Sequence, residues 1–100
     1  MNNIMRDRIA AEVKRLQKEK LDFPLEWLDE IFRRLKPNEQ QVLKLAYGTE
    51  VILSNAEVAK ISTLNVTATR IGQIKKNALK KFAPAIAVRL HDEKKKKGKS

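Results

Sequence analysis

The stretch NVTATRIGQIKKNALKKF, residues 65–82, carries five basic residues and no acidic one. Apolar residues recur in it every three or four positions, the period of one helix side, and these are Ile71, Ile74, Ala78, Leu79 and Phe82. Thr67 precedes them, where an N-cap residue is expected. The stretch therefore predicts a capped helix with an aliphatic buried side and a basic exposed side.

A shorter helix is predicted just upstream, beginning at the segment SNAE. Ser54 and Glu57 have the spacing of a capping box, and Val58 and Ile61 follow at core positions. A short capped helix, a turn and a longer basic helix are typical of a helix-turn-helix, whose second helix enters the major groove of DNA. This pattern predicts a DNA-binding unit.

The exposed side of the longer helix offers groups suited to DNA. Gln73 can bond an adenine edge, and Lys76 can reach a guanine edge or a phosphate. The candidate contacts are Ala68, Thr69, Arg70, Gly72, Gln73, Lys75, Lys76, Lys80 and Lys81, flanked by Asn77. Of these, Lys75, Lys80 and Lys81 are expected at phosphates. The pattern alone leaves open a core helix with a solvated lysine face.

The rest of the chain is also dominated by helical signals. A first helix is predicted from about Ile4 to Lys20, a second from Pro24, and a third that opens at Pro37 and ends near Gly48. Pro84 is expected to end or kink the basic helix. The predicted fold class is all-α: a small bundle of about five helices ending in a helix-turn-helix, with a disordered basic C-terminal tail.

Composition adds a strong but uneven positive charge. The net charge is +10, and residues 65–100 alone, with eleven basic and two acidic side chains, contribute +9. Such a one-sided field attracts polyanions. The chain has no cysteine, which excludes disulfides and thiolate metal sites, and no window approaches a membrane span. We therefore expect a cytoplasmic protein with no membrane partner.

Three segments, in order, resemble region 4 of bacterial sigma factors, the domain that reads the promoter −35 element. LKPNEQQVLKLAYG at residues 35–48 is similar to the family's first conserved helix. LSNAEVAK at residues 53–60 and the stretch at residues 65–82 resemble the two helices of its helix-turn-helix. The ordered trio covers about half the chain, and it is more specific than any single segment.

The resemblance implies roles for particular residues. Thr67 would cap the recognition helix and bond a phosphate, and Arg70 and Gln73 occupy positions that the motif retains. An apolar groove would receive the β-flap tip of RNA polymerase, and the residues predicted for it are Leu35, Val42, Leu43, Ala46 and Tyr47.

The chain also departs from the family at positions that carry much of the base reading. Ala68 and Thr69 stand where Arg and Glu are usual, and Gly72 replaces a basic residue. Lys36 stands at the usual Thr or Ser cap, and the turn ISTLN is about two residues longer than usual. Residues 1–34 are too short for the region that melts the −10 element, so a partner protein would have to supply that function.

Two classes of function follow from these observations. One is a DNA-binding transcription regulator with its recognition helix at residues 67–82, acting with RNA polymerase. The alternative is a polymerase-binding coactivator, or a split-sigma or phage-type subunit, that has lost −35 reading. An enzyme is not expected, because the single histidine, His91, lies in the basic tail without a converging ligand or acid-base set. No cofactor or metal is expected.

Three segments are predicted along the chain: an N-terminal helical extension at 1–34, a sigma-like helix-turn-helix domain at 35–90 and a disordered basic tail at 91–100. A weaker interpretation makes the helix from Ile4 to Lys20 a dimerisation element. Its apolar stripe spans only about two heptads, which is short for a stable coiled coil. The helix can instead pack on the domain.

Overall fold

Five helices make up a computed structural model that describes the backbone of residues 1–17 and 22–98. They are α1 Asn3–Leu16, α2 Glu26–Arg33, α3 Pro37–Tyr47, α4 Asn55–Ile61 and α5 Ala68–Gly98. The described residues form no strand. The predicted all-α class is therefore confirmed. No helix within the described ranges has both the length and the apolar character needed to cross a membrane.

Side chains near the start of each of the first, third and fourth helices bond free backbone groups. The Asn2 side chain accepts from the Met5 N–H at 2.7 Å. In α3 the Glu39 carboxylate accepts from the Lys36 N–H at 3.1 Å, and Pro37 occupies the first turn. Ser54 and Glu57 bond reciprocally at the start of α4, as their spacing predicts.

The predicted ends of the first two helices need correction. The chain leaves the helical conformation at Gln17, so α1 ends at Leu16 and not near Lys20, which itself lies outside the described residues. The second helix begins at Glu26, two residues after Pro24. Apolar periodicity fixes which side of a helix is buried but constrains its ends only weakly, since ends depend on local capping.

Of the two alternatives that the sequence predicts for Pro84, ending or kinking the basic helix, the ending is excluded, because α5 continues through Pro84. A proline inside a helix removes one backbone hydrogen bond and strains the preceding turn. Here Phe82 and Ile86 on either side are completely buried, and that packing holds the helix in place. The backbone is helical as far as Gly98, which includes most of the segment predicted as a tail, and residues 99 and 100 lie outside the described residues.

A single apolar core, with both aliphatic and aromatic side chains, joins all five helices. α5 is the central element and packs against each of the other four, and α1 packs against α2, α3 and α5. The largest fully buried side chains are Phe82, Met5, Ile9, Leu28, Leu43, Ile71, Ile86, Val13, Val42 and Val58. The helix of the predicted N-terminal extension thus contributes directly to the core and is not free to act as a dimerisation element in this state.

Candidate nucleic-acid interface

The turn between α4 and α5 spans residues 62–67 and contains an unusual backbone conformation. Asn65 has φ 52°, the one positive value among the described non-glycine residues. Asn tolerates the left-handed region better than most residues, because its short polar side chain can bond the local backbone. Thr67 then accepts a hydrogen bond from the Arg70 N–H at 3.2 Å, which confirms the predicted cap. This local chemistry sets the start of α5.

The buried side of α5 agrees with its sequence pattern. Ile71, Ala78 and Phe82 are 0% exposed, and Ile74 and Leu79 are 4% and 6% exposed. Five anchors at helical spacing fix the rotation of the helix about its own axis. The opposite side must therefore face away from the protein.

Four side chains on that opposite side form a continuous line, which we call the outer stripe. They follow one another at intervals of four, three and four residues, and they are Thr69, Gln73, Lys76 and Lys80. All four are exposed. Arg70, at the edge of the stripe, donates from Nη1 to the side-chain Oε1 of Gln73 at 3.3 Å, which leaves the side-chain NH₂ of Gln73 free to donate outward.

Two of the predicted phosphate contacts turn toward the protein instead, and we call them the inner flank. The Lys75 ammonium lies 5.7 Å from the centre of the Tyr47 ring, at cation–π distance, and its side chain is half-buried. The Lys81 ammonium donates to Glu39 Oε1 at 2.7 Å. Both lysines therefore contact α3, and neither lies on the outer stripe.

Glu39 is the partner that the sequence interpretation missed. It is 4% exposed, and it accepts from the Lys36 N–H as well as from Lys81. Burial by itself raises the pKa of Glu39, but the hydrogen bonds from Lys81 and Lys36 and the charges of both lysines outweigh it, so the pKa lies below its usual value. The carboxylate is therefore held ionised, and it ties α3 to α5.

Two further predicted contacts, Ala68 and Gly72, are only half-exposed. Gly72 faces the start of α4, where a Cβ atom on it would lie 2.9 Å from Asn55 Nδ2. The absence of a side chain thus lets the two helices of the motif approach closely. Position 72 lies beside the outer stripe rather than on it.

The residues predicted for a partner groove do not form an open surface. Leu35, Val42, Leu43, Ala46 and Tyr47 are between 0% and 7% exposed. They belong to the common core, where α1 and α5 pack against α3. The apolar pattern of α3 identified a buried face correctly, but sequence alone did not show that another part of the same chain covers it.

No cluster of three or more potential metal ligands occurs among the residues described, His91 included. The chemistry of the α5 surface is instead that of positive charge and hydrogen-bond donors arranged along one exposed helix side. Such groups bind polyanions, and they can bond both phosphates and base edges.

Comparison with curated proteins found no match, and comparison with solved structures found none either. A scan of protein families matched residues 31–82 to the family described as Sigma-70, region 4. The matched range contains α3, α4 and the part of α5 up to Phe82, which includes the outer stripe. Region 4 is a DNA-binding regulatory domain of transcription proteins and not a catalytic one. Since the match covers more than half of the chain, the protein belongs to the sigma-70 region 4 family.

Proposed function

We propose that this protein is a transcription regulator that binds double-stranded DNA through the outer stripe and acts together with RNA polymerase. The observation that carries the proposal is the outer stripe itself, in which Thr69, Gln73, Lys76 and Lys80 are exposed while the opposite side of α5 is buried. An α-helix presented in this way fits a major groove about 12 Å wide.

Each member of the outer stripe has a distinct expected role. Gln73 can pair with an adenine edge, with Arg70 orienting its amide. Lys76 and Lys80 neutralise phosphates and so provide affinity that depends on salt. Thr67 remains a candidate phosphate contact at the start of the helix, while Lys75 and Lys81 hold the helix in place rather than binding DNA.

The test is a salt titration of binding to a mixed-sequence DNA duplex. Each lysine–phosphate contact adds about 0.9 to the slope of log affinity against log salt, so Lys76→Ala and Lys80→Ala should each flatten the slope by about one unit. Lys44→Ala is the matched control, because Lys44 is exposed on α3 and its ammonium lies over the Phe32 ring of α2, 5.8 Å from the ring centre. It should leave the slope unchanged. A wild type with no salt-dependent binding to any duplex would contradict the proposal.

Sequence reading and phosphate binding can be separated by a second measurement. Selection of bound sequences from random DNA, with and without RNA polymerase, should yield a motif that Gln73→Ala relaxes at one position. A mismatch at a directly read base pair typically costs about 1–3 kcal/mol. Equal enrichment of all sequences in both conditions would leave only non-specific binding.

A second candidate function is a polymerase-binding coactivator that no longer reads the −35 element. Ala68 and Gly72 favour it, because they are half-buried and have no group that can bond a base. Under this hypothesis a pull-down with the intact protein recovers the RNA polymerase β subunit, and the Gln73→Ala variant recovers it equally. Recovery of no polymerase subunit would count against both the coactivator and the polymerase-dependent form of the first candidate.

A further inference from the structure

The turn of the helix-turn-helix is tied to α3 by one side chain. The turn includes most of ISTLN, the stretch that is longer than the family's usual turn, and Thr63 in this stretch is exposed. Gln41 of α3, 22 residues earlier, accepts from the Thr63 N–H at 3.2 Å and donates from Nε2 to the Thr63 hydroxyl oxygen at 3.0 Å. One amide group therefore holds the lengthened turn at two points.

The orientation of the Gln41 amide is set by the backbone group that it meets. The Thr63 N–H can only donate, so the amide oxygen must face it, and the NH₂ group is left for the hydroxyl. The Thr63 hydroxyl also lies 3.2 Å from the same oxygen. These bonds are exposed, and bonds that water can replace contribute little to the free energy of unfolding. The pair is therefore suited to fixing the position of the turn rather than to stabilising the fold.

The second half of the turn is held in a different way. Leu64 and Val66 are partly buried and pack against the core. In the first half, the Ser62 hydroxyl donates to a carbonyl oxygen of α4 at 3.4 Å, which is a long bond within the same part of the chain. Among the side-chain hydrogen bonds of the described residues, those from Gln41 are the ones that tie the first half of the turn to another helix.

The tether draws the turn toward the side of α5 that faces the protein. The helix that carries Gln41, α3, also contacts the inner flank, where Lys81 donates to Glu39. The outer stripe begins on the opposite side of α5, at Thr69. A longer loop has more conformations to lose, so without the tether the first half of the turn can swing into the space that DNA needs in order to reach Thr69.

We propose that Gln41 is a positioning residue for DNA binding, which holds the lengthened turn against α3 and so keeps the start of the outer stripe open to the major groove. The inference rests on the proposed DNA-binding function and adds to it a residue outside the recognition helix. Gln41 acts through Thr63 and needs no contact with DNA. Molecules whose turn is out of place bind poorly, so the apparent affinity falls with the fraction of molecules that have the turn in place.

Two adjacent glutamines provide the test and its control. Gln41→Met removes the tether with little change in side-chain length, and it should lower the affinity for a mixed-sequence duplex at least about threefold without changing the salt slope. Gln40 instead donates to the carbonyl oxygens of Phe32 and Leu35 at 3.1 Å and 3.0 Å. Gln40→Met should therefore lower the midpoint of chemical denaturation but leave the affinity within about twofold of wild type. Equal affinities for wild type and Gln41→Met would overturn the proposal.

A double-mutant cycle shows whether Gln41 acts through Thr63. Thr63→Val loses the hydroxyl bond and should lower the affinity, whereas Thr63→Ser keeps the hydroxyl and should bind as wild type does. The double variant of Gln41→Met and Thr63→Val should lose no more affinity than Gln41→Met alone, because both substitutions break the same contact. Losses that add would mean that the two residues act separately, and they would overturn the proposal.

Backbone order parameters of Ser62 and Thr63, measured by NMR without DNA, test the tether itself. We expect values near about 0.85 in wild type and in Gln40→Met, and a fall toward about 0.6 in Gln41→Met. Equal values in wild type and Gln41→Met would overturn the proposal. If the wild type binds no duplex, the proposed function fails and the positioning role fails with it, while the order parameters still decide whether Gln41 fixes the turn. The two failures are therefore distinguishable.

Discussion

Lys80 lies on the outer stripe of α5 and makes no ion pair in the described structure, whereas Lys81, the next residue, donates to the buried carboxylate of Glu39 at 2.7 Å. One helical residue turns the side chain by about 100°, which is enough to move a lysine from solvent to the protein body. The two lysines are equivalent in composition and in charge. Their comparison shows that a count of basic residues overestimates how many lysines of α5 are free to contact another molecule. The buried side of α5 decides which lysines face solvent.

The difference between Lys80 and Lys81 depends on the buried side chains that fix the rotation of α5. Removing one of these side chains should therefore have the largest effect. Phe82→Ala should lower the free energy of unfolding by about 3–5 kcal/mol, because Phe82 is 0% exposed and its loss leaves a cavity. Chemical denaturation measures this change. Val88→Ala, on an exposed side of the same helix, is the control and should change stability by less than about 0.5 kcal/mol.

A substitution of each lysine in turn sharpens the comparison. Lys81→Ala should lower the free energy of unfolding by about 1 kcal/mol, since Glu39 loses a partner, although the half-exposed position of Lys81 lets water replace part of that bond. Lys80→Ala should leave stability nearly unchanged but flatten the salt dependence of DNA binding. A larger stability loss for Lys80→Ala than for Lys81→Ala would mean that Lys80, and not Lys81, stabilises the fold.

The pH dependence of stability gives an independent check on Lys81. Folding lowers the pKa of Glu39, so its ionised form favours the folded state, and its contribution is fully present above the usual glutamate pKa of about 4.3. That contribution disappears as the pH falls through the lowered folded pKa. The difference in unfolding free energy between wild type and Lys81→Ala should therefore shrink below about pH 4.3. A difference that stays constant in that range would argue against the ion pair.

The turn before α5 offers a test of the backbone, because it sets where the outer stripe begins. Asn65→Val should destabilise the protein by about 1–2 kcal/mol, since a β-branched residue is strained at φ 52°. Asn65→Gly should be tolerated, because glycine adopts this region without strain. Thermal unfolding of the two variants compares them directly, and an equal loss for both would mean that the side chain of Asn65, not its backbone, stabilises the turn.

The smallest expected effect is at Gly72, and it tests the boundary of the outer stripe. Gly72→Ala gains up to about 1 kcal/mol of helix propensity, which displacement of the Asn55 amide partly offsets. DNA affinity should stay within a few-fold of wild type, because the new methyl group points toward α4. A loss of tenfold or more would place position 72 in the interface.

Much of the helix-turn-helix could be predicted from sequence, because its determinants are local. The spacing of Ile71, Ile74 and Phe82 identified the buried side, and the Ser54 and Thr67 caps identified where two helices begin. Local signals of this kind depend on residues three or four positions apart. The same periodicity also distinguishes the outer stripe from the core.

Other features could not be predicted because they depend on distant parts of the chain. Lys81 and Glu39 are 42 residues apart in sequence, and the residues next to each of them do not predict the ion pair. The packing of α1 on α3 also depends on residues that are distant in sequence. So does the continuation of α5 through Pro84, where tertiary packing outweighs a helix-breaking residue. Residue spacing within α5 was enough to predict which side of the helix is buried. It was not enough to predict which residues of other helices that side contacts.

The length of α5 has a mechanical consequence. From Gln73 to Gly98 the helix continues for about 37 Å at 1.5 Å per residue, so under the proposed binding mode one end lies in a DNA groove while the other projects far from it. A load applied at the projecting end acts as on a lever, and it tilts the groove-binding end in proportion. Pro84 removes one backbone hydrogen bond along that length, but the buried side chains of Phe82 and Ile86 on either side hold the helix on the core, so the load is carried past it.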